Sequence, residues 1–283
     1  MDGFDSKKIL SVTDYNEYLL WKENCMNEDN CPCAAVFLLA DSELLFWRED
    51  GAADAMAKAD TEKKRDYVTM PWLQRLRCEL VKRPTGPDGS ELRIKASYIG
   101  FGTDDAVEFY EVFVEAMRGI GVYDCMQITC GDLKTEPTKP MLAHLERSDV
   151  VLIGGGDPWK LWTKMDHSGV VEQVRWRYYE GACLVGVGTG AMMIGETAFR
   201  WESPFKGTVN EHLIDEEKDG RHPHMFSALK IVPFIVAPES DETEEVIEYC
   251  KAGKVALTLS KGGGVSASFV HAANMDCPPT RWP

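Results

Sequence analysis

Two glycine-rich segments decide the fold of this chain: Asp149-Val-Val-Leu-Ile-Gly-Gly-Gly-Asp-Pro158 and Leu184-Val-Gly-Val-Gly-Thr-Gly-Ala-Met-Met-Ile-Gly195. Each segment starts with a continuous apolar run, which is typical of a strand buried on both faces. The glycines that follow lead into a helical segment, and such turns direct backbone N–H groups into the cleft beyond the carboxyl end of a strand. The two segments therefore predict parallel strands and a ligand site where their turns meet.

The same alternation of strands and helices extends outward from these segments. Strands are predicted at residues 34–40, 94–100, 122–129, 149–153, 182–187 and 265–270. One helix is predicted from Trp159 to Tyr179, and the turn Gly102–Asp105 has residues typical of a helix cap. Between them, an apolar stripe at helical spacing comprises Ala106, Phe109, Phe113, Ala116 and Ile120. This order predicts an α/β fold with a doubly wound, mostly parallel sheet and helices on both faces.

Composition limits the functions that the chain can have. Its 283 residues include 31 Lys plus Arg against 46 Asp plus Glu, so the net charge is −15. This charge argues against nucleic-acid or anionic-membrane binding, since both need a basic surface. No apolar run approaches the roughly 18–20 residues of a membrane span, and the polar start predicts a cytoplasmic protein. Residues 1–32 are predicted to be an N-terminal extension, and residues 33–283 a single α/β domain.

Three segments in order resemble a known enzyme family. The two glycine segments and Leu229-Lys-Ile-Val-Pro-Phe-Ile-Val-Ala-Pro-Glu239 resemble peptidase family S51, the serine peptidases of the dipeptidase E and cyanophycinase type. The resemblance runs from about Ala34 to about Phe269. It implies a fold similar to the class I glutamine amidotransferases and hydrolysis of aspartyl peptides or related aspartate polymers. It also implies that Gly154, Gly155, Gly156 and Asp157 supply part of an oxyanion hole.

The catalytic positions of the family are not matched. The family's nucleophile elbow reads Gly-x-Ser-Ala-Gly-Ala, and on the segment Gly186–Ala191 the serine position is Gly188, with Gly190 as the following small residue. The family's histidine position holds Glu239, and Glu202 is a candidate for the third acid only by its distance after the elbow. Because loss of either the serine or the histidine costs many powers of ten in rate, the leading hypothesis is a catalytically degenerate homologue with a binding or structural role.

Two alternatives remain open. In the first, the protein is an active hydrolase of aspartyl peptides or related amides that uses the Thr189 hydroxyl, or water activated by Glu239, with Asp157 as a paired carboxylate. In the second, it is a structural or interaction protein. In that case two short aromatic segments are predicted to dock on a partner or a larger assembly. They are the extension, with Tyr15, Tyr18 and Trp21, and the C-terminal segment Cys277–Pro283.

The ligand expectations follow from the glycine turns. Their N–H groups favour a carboxylate or other anion, whereas Glu239 and Asp157 oppose a strongly anionic molecule, so a small acidic or mixed-charge ligand such as an aspartyl peptide is predicted. No cofactor and no metal are predicted. The nine cysteines are interpreted as reduced thiols, with Cys25, Cys31 and Cys33 as a weaker metal or disulfide candidate, and His222 and His224 as exposed histidines.

Overall fold

A computed structural model describes residues 35–41, 45, 71–81, 93–131, 135–199, 225–238, 256–259, 263–267 and 280–282. The strands are β1 Val36–Leu39, β2 Lys95–Ile99, β3 Asp124–Ile128, β4 Val150–Ile153, β5 Cys183–Val187, β6 Thr197–Phe199, β7 Met225–Ser227, β8 Ile235–Pro238, β9 Ala256–Leu259, β10 Gly264–Ala267 and β11 Thr280–Trp282. The helices are α1 Pro71–Val81, α2 Val107–Gly119, α3 Lys139–Leu145, α4 Pro158–His167, α5 Val170–Tyr179 and α6 Thr189–Ile194, and a short 3₁₀ turn covers Phe101–Thr103.

The central sheet is mostly parallel. Among the described residues its order is β11-β10-β1-β5-β4-β2-β3, and the five strands from β1 to β3 in this order are all parallel. At the other end, β10 pairs antiparallel with β1, and the edge strand β11 pairs antiparallel with β10. Strands β1, β4 and β5 are buried along their whole length, because helices cover both faces of the sheet. The prediction of a doubly wound α/β fold is confirmed.

Two apolar layers form the core, one on each face of the sheet. On one face, Phe113 and Met117 of α2 and Trp72 of α1 pack against strand residues such as Leu152. The opposite layer is larger and receives residues from α3, α4, α5 and α6, including Leu161 of α4. Successive strand residues face opposite layers, as expected from the two-residue period of a strand.

The predicted helix 159–179 is two helices, and this part of the prediction was wrong. Helix α4 ends at His167 and α5 begins at Val170, because Gly169 adopts a left-handed conformation with φ +70°. The hydroxyl of Ser168 also donates a hydrogen bond to the carbonyl of Lys164, 2.6 Å away. Glycine adopts this conformation at no steric cost, so the chain changes direction here.

The helix cap predicted for Gly102–Asp105 is also wrong. The residue that caps α2 is Ala106, which has no side chain able to accept a hydrogen bond. Asp104 and Asp105 instead have φ near +60°. Their carboxylates bind groups that are distant in the sequence. For example, Asp105 Oδ2 accepts a hydrogen bond from the N–H of Cys130. The short polar side chains of aspartates tolerate this left-handed conformation.

Several predictions lie outside the described residues. These are the N-terminal extension, the cluster Cys25, Cys31 and Cys33 within and beside it, the histidines His222 and His224, and the acids Glu202 and Glu239. None of the helices in the described ranges combines the length and apolar character needed to span a bilayer.

Candidate functional site

The candidate site is a cavity of about 300 Å³ at the carboxyl ends of the parallel strands. Loops that follow β1, β2, β4 and β5 meet there, as expected for a ligand site in an open parallel sheet. The described residues that line it are Ala40, Asp41, Leu45, Tyr98, Thr103, Phe109, Leu152, Gly154, Gly155, Gly156, Val187, Gly188, Thr189 and Pro238.

The turn from β5 into α6 has the shape of an elbow. Gly188 stands at its tip with φ +56° and ψ −122°, a conformation that residues with side chains rarely adopt. The N–H of Gly188 donates to the carbonyl of Leu39, and its own carbonyl accepts from the N–H of Ala191, both at 2.9 Å. A Cβ atom at this position would lie 3.7 Å from the oxygen of Ala40, which is an ordinary contact. The tip therefore has room for a side chain and carries none.

The two glycines that flank the tip are there for steric reasons. A Cβ on Gly186 would come within 2.5 Å of the Cα of Ala191, and a Cβ on Gly190 within 2.0 Å of the carbonyl oxygen of Ile153. Both contacts are with backbone atoms, of Ala191 in the elbow and of Ile153 in β4, so no side-chain rotation can relieve them. The spacing Gly186, Gly188, Gly190 thus reproduces the small neighbours that a nucleophile elbow needs on either side of its tip.

The glycine loop after β4 lies beside the elbow. Its ends are anchored, because the N–H of Gly154 donates to the carbonyl of Ile99 at 2.8 Å and that of Asp157 donates to the carbonyl of Gly102 at 3.0 Å. Gly156 has φ +107°, and a Cβ on it would lie 2.4 Å from the backbone of Gly102. Only a glycine fits this contact, so the loop is held tightly against the turn that follows β2.

Two residues that line the cavity, Gly155 and Thr189, have backbone N–H groups that can act as donors. Among the described residues, none accepts a hydrogen bond from the N–H of Gly155 or of Thr189. The two residues are adjacent, since a Cβ on Gly155 would lie 3.9 Å from the nitrogen of Thr189. In hydrolases with a nucleophile elbow, the N–H of the residue after the nucleophile is one oxyanion donor. Gly155 and Thr189 are thus able to bind a carbonyl or carboxylate oxygen.

The Thr189 side chain connects the two glycine turns. Its hydroxyl donates a hydrogen bond to the carbonyl of Gly156 at 3.0 Å, and the residue is only 4% exposed. Asp157 is exposed, and its Oδ1 accepts a hydrogen bond from the N–H of Lys160 at 2.7 Å as the cap of α4. The chain reaches the cavity again at Pro238, the last described residue before Glu239.

Comparisons with known proteins agree with this geometry. The sequence model of Peptidase family S51 matches residues 102–256, which is more than half of the chain. The chain belongs to peptidase family S51. Cyanophycinases of Synechococcus elongatus and of Thermosynechococcus vestitus (strain NIES-2133 / IAM M-273 / BP-1) are each 29% identical to it over 86 residues. That similarity covers 30% of this chain and 27% of each relative, so the chain matches less than a third of their length.

The fold of this S51 chain is also found in a solved structure. The crystal structure of a peptidase from an acI-B1 Actinobacterium superposes with a TM-score of 0.52 at 11% sequence identity, and the superposition covers 83% of both chains. At this identity the similarity concerns the fold alone. Family membership and fold both agree with the resemblance carried by the two glycine segments and the segment 229–239.

Two aromatic residues of this S51 chain were missed as site residues. Tyr98 is 2% exposed and its ring lies in the apolar layer with Tyr110 and Phe113. Burial, and next the charge of Asp105, raise the pKa of Tyr98 to about 12, so its phenol stays protonated at neutral pH. Phe109, which the helical stripe assigned to the core, is 37% exposed and lines the cavity. Their position in the sequence could have identified them as site residues, because both lie near the carboxyl end of β2.

A second group of chemistry-bearing side chains lies away from the cavity. Ser97 Oγ lies 3.0 Å from Nδ1 of His144, and His144 Nε2 lies 3.2 Å from Oδ1 of Asp124. Since a carboxylate only accepts hydrogen bonds, Nε2 is the donor in the second contact. Ser97 is fully buried, with its hydroxyl also 2.7 Å from that of Ser148. None of these residues is among those lining the cavity. Below, Ser97, His144 and Asp124 are called the buried chain.

Proposed function

We propose that this S51 member is catalytically degenerate and binds a small ligand in the cavity without hydrolysing it. The observation that carries the proposal is Gly188, which stands at the tip of the elbow without a side chain. A hydrolase of this design needs a hydroxyl or thiol at that point, next to a base that removes its proton.

The lining of the cavity supports this proposal. Its described part contains no Ser, Cys or His. Two of its three hydroxyl groups are already donors to backbone carbonyls, Thr103 to Gly100 and Thr189 to Gly156, each at 3.0 Å. The third belongs to Tyr98, whose pKa of about 12 makes it a poor nucleophile at neutral pH. A nucleophile needs a base within hydrogen-bond reach to take its proton, whereas the acceptors of the Thr103 and Thr189 hydroxyls are backbone carbonyls, which cannot act as that base.

Other features of a ligand site are retained. The cavity volume of about 300 Å³ lies at the lower end of the range for small-molecule sites. The N–H groups of Gly155 and Thr189 offer hydrogen bonds to an oxygen of the ligand. A carboxylate or an amide carbonyl has a suitable acceptor, so the ligand class extends from small carboxylates to short peptides.

A second candidate function is hydrolysis by water activated by Glu239. One observation favours it: Pro238 lines the cavity and immediately precedes Glu239 in sequence. A carboxylate can act as a general base when its pKa is close to the working pH. In this case Gly188 would leave room for the attacking water, and Gly155 and Thr189 would stabilise the oxyanion.

The discriminating experiment is incubation of the purified protein with α- and β-aspartyl dipeptides and with a serine-reactive fluorophosphonate probe. We expect neither turnover nor labelling. Turnover that Glu239→Gln abolishes, and that the exposed control Glu111→Gln retains, would establish the second candidate. Turnover or labelling lost in Thr189→Ala would instead identify the Thr189 hydroxyl as a nucleophile.

Location and partners belong to the same proposal. Thr280–Trp282 of the predicted docking tail form β11 and pair antiparallel with β10, so the tail packs on its own domain and that part of the prediction was wrong. We propose a cytoplasmic protein that uses its extension, residues 1–32, to dock on a protein partner. The size of the protein in a native extract tests this. A species larger than 31.7 kDa that shrinks when the extension is deleted is expected, whereas a lone 31.7 kDa species contradicts a role in an assembly.

A further inference from the structure

We infer that the cavity selects a ligand with an uncharged, apolar side chain and disfavours the carboxylate of an aspartyl side chain. This inference rests on the proposed function, because it concerns what the same cavity binds. It departs from the aspartyl preference that the family resemblance implies, and the departure comes from the residues that line the cavity.

The inference rests first on the charge of the residues that line the cavity. The described part of this lining contains no Lys, Arg or His, and its one carboxyl group belongs to Asp41. The N–H groups of Gly155 and Thr189 can bind the oxygens of one carbonyl or carboxylate. An aspartyl peptide brings a second carboxylate into the cavity, and burying that charge without a partner is unfavourable.

The lysines nearest along the chain do not supply the missing charge. Lys160 Nζ is paired with the carboxylate of Asp104. Lys164 Nζ donates to the carbonyl of Cys130 at 3.1 Å and lies 3.5 Å from the same aspartate. Neither lysine is among the residues lining the cavity. Both are held by the turn that follows β2 and are not directed at a ligand.

The inference rests second on the apolar residues in the wall of the cavity. Leu152, Leu45 and Val187 line the cavity and are 0%, 7% and 3% exposed, so they form a fixed wall. Phe109 completes this wall at the rim, where 37% of the residue is accessible to solvent. An apolar ligand side chain that covers this ring removes apolar surface from water, which favours binding. Tyr98 adds a further aromatic surface and no charge.

The test compares three dipeptides by isothermal titration calorimetry: Leu-Phe, Asn-Phe and Asp-Phe. The last two have nearly the same shape and differ in charge. On the native protein we expect Leu-Phe to bind about tenfold more tightly than Asp-Phe, a difference of about 1.4 kcal/mol, with Asn-Phe between them. Equal or tighter binding of Asp-Phe would overturn the inference.

A charge placed at the rim makes the test sharper. Phe109→Arg adds a cation to the wall and is expected to reverse the preference in favour of Asp-Phe. Val107→Arg is the matched control, since Val107 lies on the same helix, is 56% exposed and does not line the cavity. Both substitutions are at exposed positions and arginine favours helices, so the fold is retained. The same reversal in Val107→Arg would show that net charge alone governs binding and would contradict the inference.

The outcomes separate this inference from the proposed function. Hydrolysis of a bound dipeptide contradicts the proposed degeneracy and leaves the ligand class intact. Tighter binding of Asp-Phe without hydrolysis overturns the ligand class and leaves the degeneracy intact. Binding of none of the three dipeptides contradicts both.

Discussion

The elbow at Gly188 and the buried chain of Ser97, His144 and Asp124 differ in opposite ways from a working hydrolase site. The elbow has the backbone shape, the neighbouring N–H donors and a cavity, but it has no side chain at its tip. The buried chain has a hydroxyl, an imidazole and a carboxylate in hydrogen-bond order, but Ser97 is fully buried. Reactive residue types and access to a substrate are separate requirements, and in the described residues neither region meets both.

The two regions are separated by a single step along β2. Ser97 faces α3, where His144 lies, whereas the next residue, Tyr98, faces α2 and lines the cavity. Because side chains of a strand alternate between its faces, one residue lies next to a buried histidine and its neighbour next to a ligand site. The hydroxyl of Ser97 therefore stabilises the sheet and α3, and it is buried away from the cavity at the carboxyl ends of the strands.

The largest effect is expected from a methyl group at the elbow's flank. Gly190→Ala should lower the free energy of unfolding by about 4 kcal/mol or more, since its Cβ would lie 2.0 Å from the carbonyl oxygen of Ile153. Gly188→Ala is the matched variant at the tip, with its nearest contact at 3.7 Å. Its cost is the positive φ alone, about 1–2 kcal/mol. Chemical denaturation measures the unfolding free energy of both variants. Equal losses of stability would contradict the interpretation that the tip has room for a side chain.

The second effect concerns the buried chain. His144→Ala removes a side chain from a residue that is 7% exposed and leaves the hydroxyls of Ser97 and Ser148 without the imidazole. We expect a loss of about 2–4 kcal/mol in unfolding free energy and no change in ligand binding. His167→Ala, at an exposed position at the end of α4, is the control and should cost less than about 0.5 kcal/mol. Weaker ligand binding in His144→Ala would show that the two regions are coupled.

Local patterns were sufficient to predict the elbow and its strands. The apolar runs at 149–153 and 182–187, bounded by glycines, predict buried strands from local sequence. The steric reason for the glycines is less local, because Gly156 contacts the backbone of Gly102 and Gly190 that of Ile153. The break at Gly169 was missed because an isolated glycine inside a helical pattern is often tolerated. The exposure of Phe109 was missed for a different reason: the helical stripe begins at Ala106, whereas α2 enters the core only at Phe113.

The buried chain depends on tertiary structure and carries no local signal. Ser97 and His144 are 47 residues apart, and His144 and Asp124 are 20 apart. They meet only because β2 and β3 pair in the register that places Lys95 opposite Asp124, and because α3 packs beside them. A serine, a histidine and an aspartate at such spacings occur in many sequences, so the pattern alone predicts nothing.

The third effect tests the cavity wall at alkaline pH. The pKa of Tyr98 is raised to about 12, above its ordinary value of 10.0, so the stability that it contributes is present below pH 10 and is lost as the pH rises through 12. Between pH 9 and pH 11 the native protein should lose about 1 kcal/mol more unfolding free energy than Tyr98→Phe. Cys125, whose pKa burial raises to about 11, contributes equally to both proteins. Tyr123→Phe, at a position 76% exposed, is the control and should behave like the native protein.

The smallest effect distinguishes the exposed end of the buried chain from its core. A hydrogen bond from Lys95 and a weaker one from His144 hold the pKa of Asp124 below its ordinary value of 3.8. A lowered pKa contributes stability that is present above pH 3.8 and is lost as the pH falls through the folded-state value. Because the Asp124 side chain is 39% exposed, Asp124→Asn should cost less than about 1 kcal/mol at pH 7.

The pH dependence decides what that small cost means. If the carboxylate charge is the cause, the difference between the native protein and Asp124→Asn shrinks as the pH is lowered below 3.8, where the native carboxylate takes up a proton as well. A difference that is constant with pH would assign the cost to altered packing. A cost at pH 7 as large as that of His144→Ala would show that the histidine depends on its aspartate. The buried chain would then act as one coupled unit, in the way that a catalytic triad does, although it lies outside the cavity.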